Sequence, residues 1–351
     1  MDGRFPAPLL VGFAARVLEA AGARRSDALI TARVLVEADL RGIDSHGVAR
    51  LPVYARRLKG GLINPRARLR GLKDSGSVLW LDAQNGLGPP AAARAMGRCL
   101  ERAATEGLAM AAVRNSNHFG IAGYYAMMAL DRGMIGVAMS NASPLMAPWG
   151  GRTRMLGTNP LAVAIPGGSG PPVVMDMATS QAARGKLEVA RRLGRPLPPG
   201  WALGPDGRPT TDPAEGLAGL LLPMGAHKGY CLAVVIEALC GALTGGAMGP
   251  EVGELTAFDR PQGVGHAFIA IDPQAFVGLE SLGRRMDEYG RKLKADRPAE
   301  GVERIYLPGE IEHEERLRRV KHGVPLPPAV RRELAALGAE VGVEVGFLAE
   351  G

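Results

Sequence analysis

The sequence predicts a mixed α/β fold of the α+β type, and three observations predict it. The first sixty or so residues carry apolar positions at helical spacing only. Between residues 78 and 177 a series of short apolar runs, bounded by Gly, Asn, Pro or Asp, reads as buried strands. Those runs lack the regular strand–helix–strand alternation of a doubly wound parallel sheet.

Taken in order, Leu9, Leu10, Phe13, Val17 and Leu18 predict a first helix that Gly22 ends. Ser26 or Asp27 is placed to cap a second, running through Ile30, Val34, Leu35 and Ala38 to near Gly42. A short third helix is expected over 51–58, before Gly60 and Gly61. Strands are expected over 78–82, 109–113, 135–139, 161–165 and 173–177, with helices over 89–106 and 121–130 between them. A segment from Gln181 to Arg192 reads as helical, 230–243 as a long apolar helix, and 266–271 as a strand. Two helices, over 276–293 and 328–337, complete the chain. Glu237 in the middle of the apolar helix, together with its length, argues for a buried helix over a membrane span.

The 351 residues are 46% apolar and 22% charged, which suits a globular enzyme of one large domain or two joined ones. The net charge of +7 favours anionic partners. With 5% aromatic residues and no basic stretch interleaved with aromatics, a nucleic-acid surface is a distant alternative to small anionic ligands. Cys99, Cys231 and Cys240 form no C-x-x-C pair, and the first residues resemble no signal peptide; both fit a cytoplasmic protein.

One stretch imitates a dinucleotide-binding loop. The 78–82 strand leads into Asn85-Gly86-Leu87-Gly88-Pro89-Pro90-Ala91, which matches G-x-G-x-x-A. Pro89 and Pro90 have no backbone N–H to offer a pyrophosphate, so a turn before a proline-started helix is the better reading.

Six histidines are present, none at metal-ligand spacing, and no metal is expected. His46 lies in RGIDSHGVARLPVY at 41–54, with Arg50 four residues on and Tyr54 four further. On a helix all three share a face, although Pro52 suits only a helix that starts near Ala49 or Arg50. Imidazole exchanges a proton near neutral pH, and a guanidinium clamps a carboxylate with two bonds. Spacing alone balances this against a helix boundary with a capping histidine. His118 sits between a strand and a helix, where a histidine satisfying loop backbone is the commoner outcome. Asp176 orients a histidine, accepts ribose hydroxyls or caps the helix after it. Lys228, at a helix start, suits a phosphate or solvent.

Together, DSHGVARLPVY (44–54), RNSNHFGIAGYYA (114–126), MSNASP (139–144), GTNPLAVAIP (157–166), VVMDMATSQAARGK (173–186), WALGPDGRPTTDP (201–213), HKGY (227–230) and LPGE (307–310) resemble the type-2 malate/L-lactate dehydrogenase family. That family includes ureidoglycolate dehydrogenase, diketogulonate reductase and reductases of cyclic imino acids. The resemblance implies a largely antiparallel central sheet flanked by helices, a non-Rossmann site for NAD, with NADP not excluded, and a homodimer. It implies a small 2-hydroxy or 2-oxo acid as substrate, most readily malate or L-lactate.

Ser45, Arg50 and Tyr54 would bind the substrate. His46 and His118 would be the catalytic pair, with His46 favoured for the proton and the reverse left open. Cofactor contacts would come from Val174, Met175, Asp176, Met177, Ala178, Thr179, Ser180, Lys228, Gly229, Pro308, Gly309 and Glu310. Arg184 and Lys186 are candidates for a 2′-phosphate. The implied organisation is an N-terminal helical segment (1–71), a mixed core (72–272) and a C-terminal helical segment (273–351). Ala226, where a glycine is common in the family, and Cys231, where a small residue is, bear on substrate choice.

Overall fold

A computed structural model describes residues 3–346. Seven strands form one sheet in the order Arg70–Ser75, Val78–Asp82, Leu108–Ser116, Val264–Ile271, Ile135–Ser140, Leu161–Ile165 and Val173–Met177. Only Val78–Asp82 and Leu108–Ser116 run parallel; every other neighbouring pair in this sheet is antiparallel. The parallel pair needs a crossover, and the Gly88–Glu106 helix supplies it, ending at left-handed Gly107. Val264–Ile271 arrives late in the chain yet fills the centre, where its burial on both faces suits the run HAFIAI.

Alanines make the packing close. Ala92, Ala95 and Ala103 of the crossover helix meet Ala109, Ala111 and Phe268 of the sheet without exposed surface. The N-terminal helices Ala7–Ala20, Arg25–Leu40 and Leu51–Lys59 share a second core with Pro328–Val341. On the other sheet face, Ile236 and Cys240 pack on Met139 and Ala267.

Several expectations shift. The second helix begins at Arg25 with no side-chain cap, so neither Ser26 nor Asp27 caps it; Asp27 instead pairs with Arg24 and Arg94. The segment after Gln181 becomes helical only at Arg184. The apolar helix spans His227–Glu237 and widens into a π-turn at Ala238–Ala242. Its Glu237 is buried and accepts bonds from Asn141, Asn159 and the Gly249 N–H at 2.8–3.1 Å. No helix among the described residues is long and apolar enough to cross a membrane. The elements that were not expected include the edge strand Arg70–Ser75, which is polar, and the charged helix Glu310–His322.

The glycine of the imitation loop has another purpose. A Cβ on Gly88 would overlap the carbonyls of Asn117 and His118, so this residue lets the His118 loop lie against the helix start.

Candidate active site

The Arg25–Leu40 helix ends in a turn that Asp39 organises. Two 3₁₀ turns follow, Asp44–His46 and Val48–Arg50, with Gly47 extended between them. The Asp39 carboxylate accepts the Val48 N–H at 2.8 Å and fills the space where any Cβ on Gly47 would stand. Asp39 is 2% exposed, and burial pushes its carboxyl up to about 8 against the opposing Val48 N–H. Arg319 reaches across from the Glu310–His322 helix to the Asp39 carbonyl at 2.7 Å and to the Asp44 carboxylate.

The single helix face expected through His46, Arg50 and Tyr54 does not form. The helix starts at Leu51, and Pro52 sits in its first turn where a missing N–H is harmless. The residues converge instead on His118. The Tyr54 hydroxyl lies 2.6 Å from Nδ1 of His118 and 3.2 Å from its carbonyl oxygen. The His46 and His118 rings stack at 5.5 Å and 24°. Ser45 Oγ holds Nδ1 of His46 at 2.9 Å. Arg50 Nε donates to the Ser45 carbonyl at 2.7 Å, which leaves both terminal nitrogens of its guanidinium without a partner among the described residues. Ser45, His46, Arg50, Tyr54 and His118 therefore form one cluster.

Burial, and then the Arg50 charge, lowers His46 to about 4. His118 is held well below its ordinary value by burial, His46 and Arg50. Both imidazoles are therefore neutral at pH 7, the form with a lone pair that can take a proton. Burial raises the Tyr54 phenol, which stays protonated.

The segments expected to hold a cofactor come together. The Val174 N–H donates to the Pro308 carbonyl at 2.9 Å, and a Cβ on left-handed Gly309 would come 2.6 Å from the Val174 carbonyl. The Met224 N–H donates to Thr179, and the Gly229 N–H to Met224, each at 2.9 Å. Lys228 is exposed at the start of its helix. Glu310 is occupied by its own chain, through Lys294, Arg304 and the Leu307 N–H.

Asp176 accepts the Gly123 N–H at 2.8 Å, binds neither histidine, and caps no helix. Burial raises it to about 6. A cavity of about 210 Å³ opens beside it, lined among others by Arg41, Ile43, Ile121, Gly123 and Pro308. Ile43 directly precedes the His46 turn, and Ile121 follows the His118 loop. Its apolar side chains, strand-edge backbone, the carboxylates of Asp176 and Glu312 and the Arg41 guanidinium could receive a planar ring bearing an amide.

Several supporting residues gave no sequence signal. Gln262, 3% exposed, accepts the His118 N–H at 3.0 Å and donates to the Gly253 carbonyl at 3.3 Å. Fully buried Arg57, one helical turn beyond Tyr54, donates to the carbonyls of Glu254, Leu255, Ala257 and Arg260 and so anchors the loop that carries Gln262. His266 lies between Ser140 Oγ and Ser116 Oγ, at 2.9 and 2.8 Å, with its ring parallel to Phe119. Its place in an apolar strand run was the one available hint. Gly185 brings the Arg184–Arg192 helix against Ser45, where a Cβ would stand 3.0 Å from the serine Cβ.

Residues 5–335 match the family model described as malate/L-lactate dehydrogenase. The L-sulfolactate dehydrogenase of Methanocaldococcus jannaschii is 41% identical over 329 residues, covering 94% of each chain. The malate dehydrogenase of Pyrococcus abyssi is 41% identical over 349 residues, covering 97% of this chain and 96% of that one. Among solved structures, a malate dehydrogenase from Entamoeba histolytica superposes with a TM-score of 0.94 at 33% identity, covering 98% of this chain and 99% of the other.

Proposed function

The chain belongs to the malate/L-lactate dehydrogenase family and is an oxidoreductase of 2-hydroxy acids, and we propose that it acts on a small member of that class. Malate is the first candidate, with L-lactate and sulfolactate beside it; the names of the relatives support this range. The observations that carry the reading are a stacked histidine pair clustered with a guanidinium whose terminal nitrogens have no partner among the described residues, and a strand-edge cavity lined by Ile43 and Ile121, which adjoin that cluster in sequence.

Arg50 clamps the substrate carboxylate in two bonds and thereby fixes which face of C2 is presented. Ser45 sets the direction of His46. In oxidation one imidazole of the His46/His118 pair takes the hydroxyl proton as the C2–H bond breaks and the C2–O double bond forms; in reduction the imidazolium returns it. NAD or NADP, when bound, supplies the hydride acceptor or donor. Val174–Asp176 and Pro308–Gly309 would hold its nicotinamide end, with Thr179, Lys228 and Gly229 nearby. A sheet with one parallel pair supports binding without a Rossmann unit.

A homodimer completes the reading. The solvent side of the His227–Glu237 helix and its extension bares Leu232, Val234, Val235 and Leu243, an apolar face that a second copy would cover. The free thiols of Cys99, Cys231 and Cys240 support a reducing compartment such as the cytoplasm.

Initial rates with malate, lactate, sulfolactate, their 2-oxo acids and a cyclic imine, each with both cofactors, test the substrate. His46→Ala and His118→Ala test the chemistry: the residue that moves the proton loses about 10²–10⁴ in turnover while NADH still binds. Near-wild-type turnover in both variants refutes the acid–base assignment.

A further inference from the structure

We infer that Tyr54 is a positioning residue that fixes the tautomer of His118, leaving its Nε2 unprotonated toward the substrate. The inference rests on the histidine pair being the proton-transfer centre.

Tyr54 was expected to meet the substrate. It is 2% exposed, and its hydroxyl meets His118 twice, at Nδ1 (2.6 Å) and at the carbonyl oxygen (3.2 Å). A phenol has one proton to donate and lone pairs to accept with. If it donates to Nδ1, the carbonyl faces an oxygen lone pair with no proton between them. If it donates to the carbonyl, Nδ1–H donates to the phenol oxygen and both contacts are satisfied.

The Gly120 N–H is the one contact that argues the other way, since it points toward Nδ1. It does so at 3.4 Å, the outer limit of a hydrogen bond, and the same N–H also acts on the Tyr54 oxygen. A 2.6 Å contact fits a proton on either atom, but the count of partners favours Nδ1–H: the phenol gives its proton to the carbonyl while its oxygen accepts from both Nδ1–H and the Gly120 N–H. Nε2 is then the free base.

The rest of the loop is built to hold that arrangement. Gln262 fixes the His118 backbone N–H, and Gly88 admits the loop against the helix start. The Arg57 clamp fixes both the helix of Tyr54 and the loop of Gln262. His118 therefore has its backbone and its Nδ1 held from two elements. In the oxidation direction the hydroxyl proton passes to Nε2 while Nδ1–H stays on the phenol. In reduction the proton returns from Nε2, and Tyr54 is unchanged in either direction.

The test reads the tautomer directly. Full-length enzyme labelled with ¹⁵N-histidine is examined by two-bond ¹⁵N–¹H correlation, with the His118 signals identified by their loss in His118→Asn. The expected pattern in the wild type is a protonated Nδ1 and an unprotonated Nε2. Tyr54→Phe, which keeps the ring and the packing, should shift His118 toward the Nε2–H form. It should lower kcat by about 10- to 100-fold, below the ~10⁴ seen when an orienting carboxylate is removed from a hydrolase triad. KM for the cofactor should stay within about twofold.

A wild-type His118 in the Nε2–H form overturns the inference without need of any variant. So does a folded Tyr54→Phe with unchanged kcat and tautomer, as judged by an unchanged Tm. If His46→Ala and His118→Ala both retain turnover, it is the acid–base reading that fails, and the spectrum still reports on the Tyr54 contact.

Discussion

Replacing Asp39 with asparagine should make the protein more resistant to heat at alkaline pH than at acid pH, relative to the wild type. Asp39 is 2% exposed, with its carboxyl raised from the ordinary 3.8 to about 8 by burial and by Asp44, against the Val48 N–H and Arg319. Between those two values the folded chain holds a proton that the unfolded chain has released. Stability from this group is therefore greatest below pH 4 and falls as pH rises toward 8, then levels off.

The slope is at most about 1.4 kcal/mol per pH unit, so about 2 kcal/mol is lost between pH 6 and pH 8. For a chain of this length, with an unfolding entropy of about 2.1 cal/mol/K per residue, that is roughly 3 °C in Tm. The asparagine side chain keeps an oxygen for the Val48 N–H and has no proton to lose. Calorimetry of both proteins at pH 6, 7 and 8 reads the difference in Tm. The difference should move in favour of Asp39→Asn by roughly 3 °C across that range. A constant offset, or a trend of the opposite sign, means the carboxylate is ionised and paired with Arg319 throughout, and the reasoning is wrong.

Because burial lowers His46 to about 4 and holds His118 well below its ordinary value, kcat/KM for oxidation should be flat from pH 8 to 6 and fall only below about pH 5. A midpoint near 6.5 would show that neither imidazole is desolvated in the free enzyme. Arg50→Lys should raise KM for the carboxylic acid by about 10- to 100-fold and leave NADH binding unchanged, since an ammonium replaces a two-bond clamp by a point charge. Equal KM values would place the carboxylate elsewhere. Gly88→Ala should destabilise the protein by about 3 kcal/mol or more, because its methyl would displace the Asn117 and His118 carbonyls; a variant as stable as the wild type would show that the loop yields. Arg57→Met should cost about 3 kcal/mol in urea unfolding, as several buried carbonyls lose their donor together.

Much of the strand pattern was legible. The runs at 78–82, 161–165 and 173–177 are strands with those bounds, because apolar residues flanked by turn formers have few other places to go. The Arg70–Ser75 strand was not legible, since an edge strand faces solvent and its residues, RGLKDS, carry no apolar pattern. The Glu310–His322 helix was hidden for the same reason: its charged sequence has no apolar period to read.

At the site, the sequence determined the chemistry on offer: imidazoles, a guanidinium and a phenol within one short motif, with a second histidine in a glycine-bounded loop. It also argued, through Pro89 and Pro90, for reading Gly86 and Gly88 as a turn before a helix over a phosphate loop. Only the tertiary structure decided what these groups face. Spacing put His46, Arg50 and Tyr54 on one helix, yet Gly47 breaks that helix and Tyr54 turns to His118, sixty-four residues away. Gln262 and Arg319 join the site from still farther along the chain. Local spacing records which residues are neighbours along the backbone. Hydrogen-bond partners separated by hundreds of residues depend on how sheet and helices pack, and that packing is a property of the whole chain.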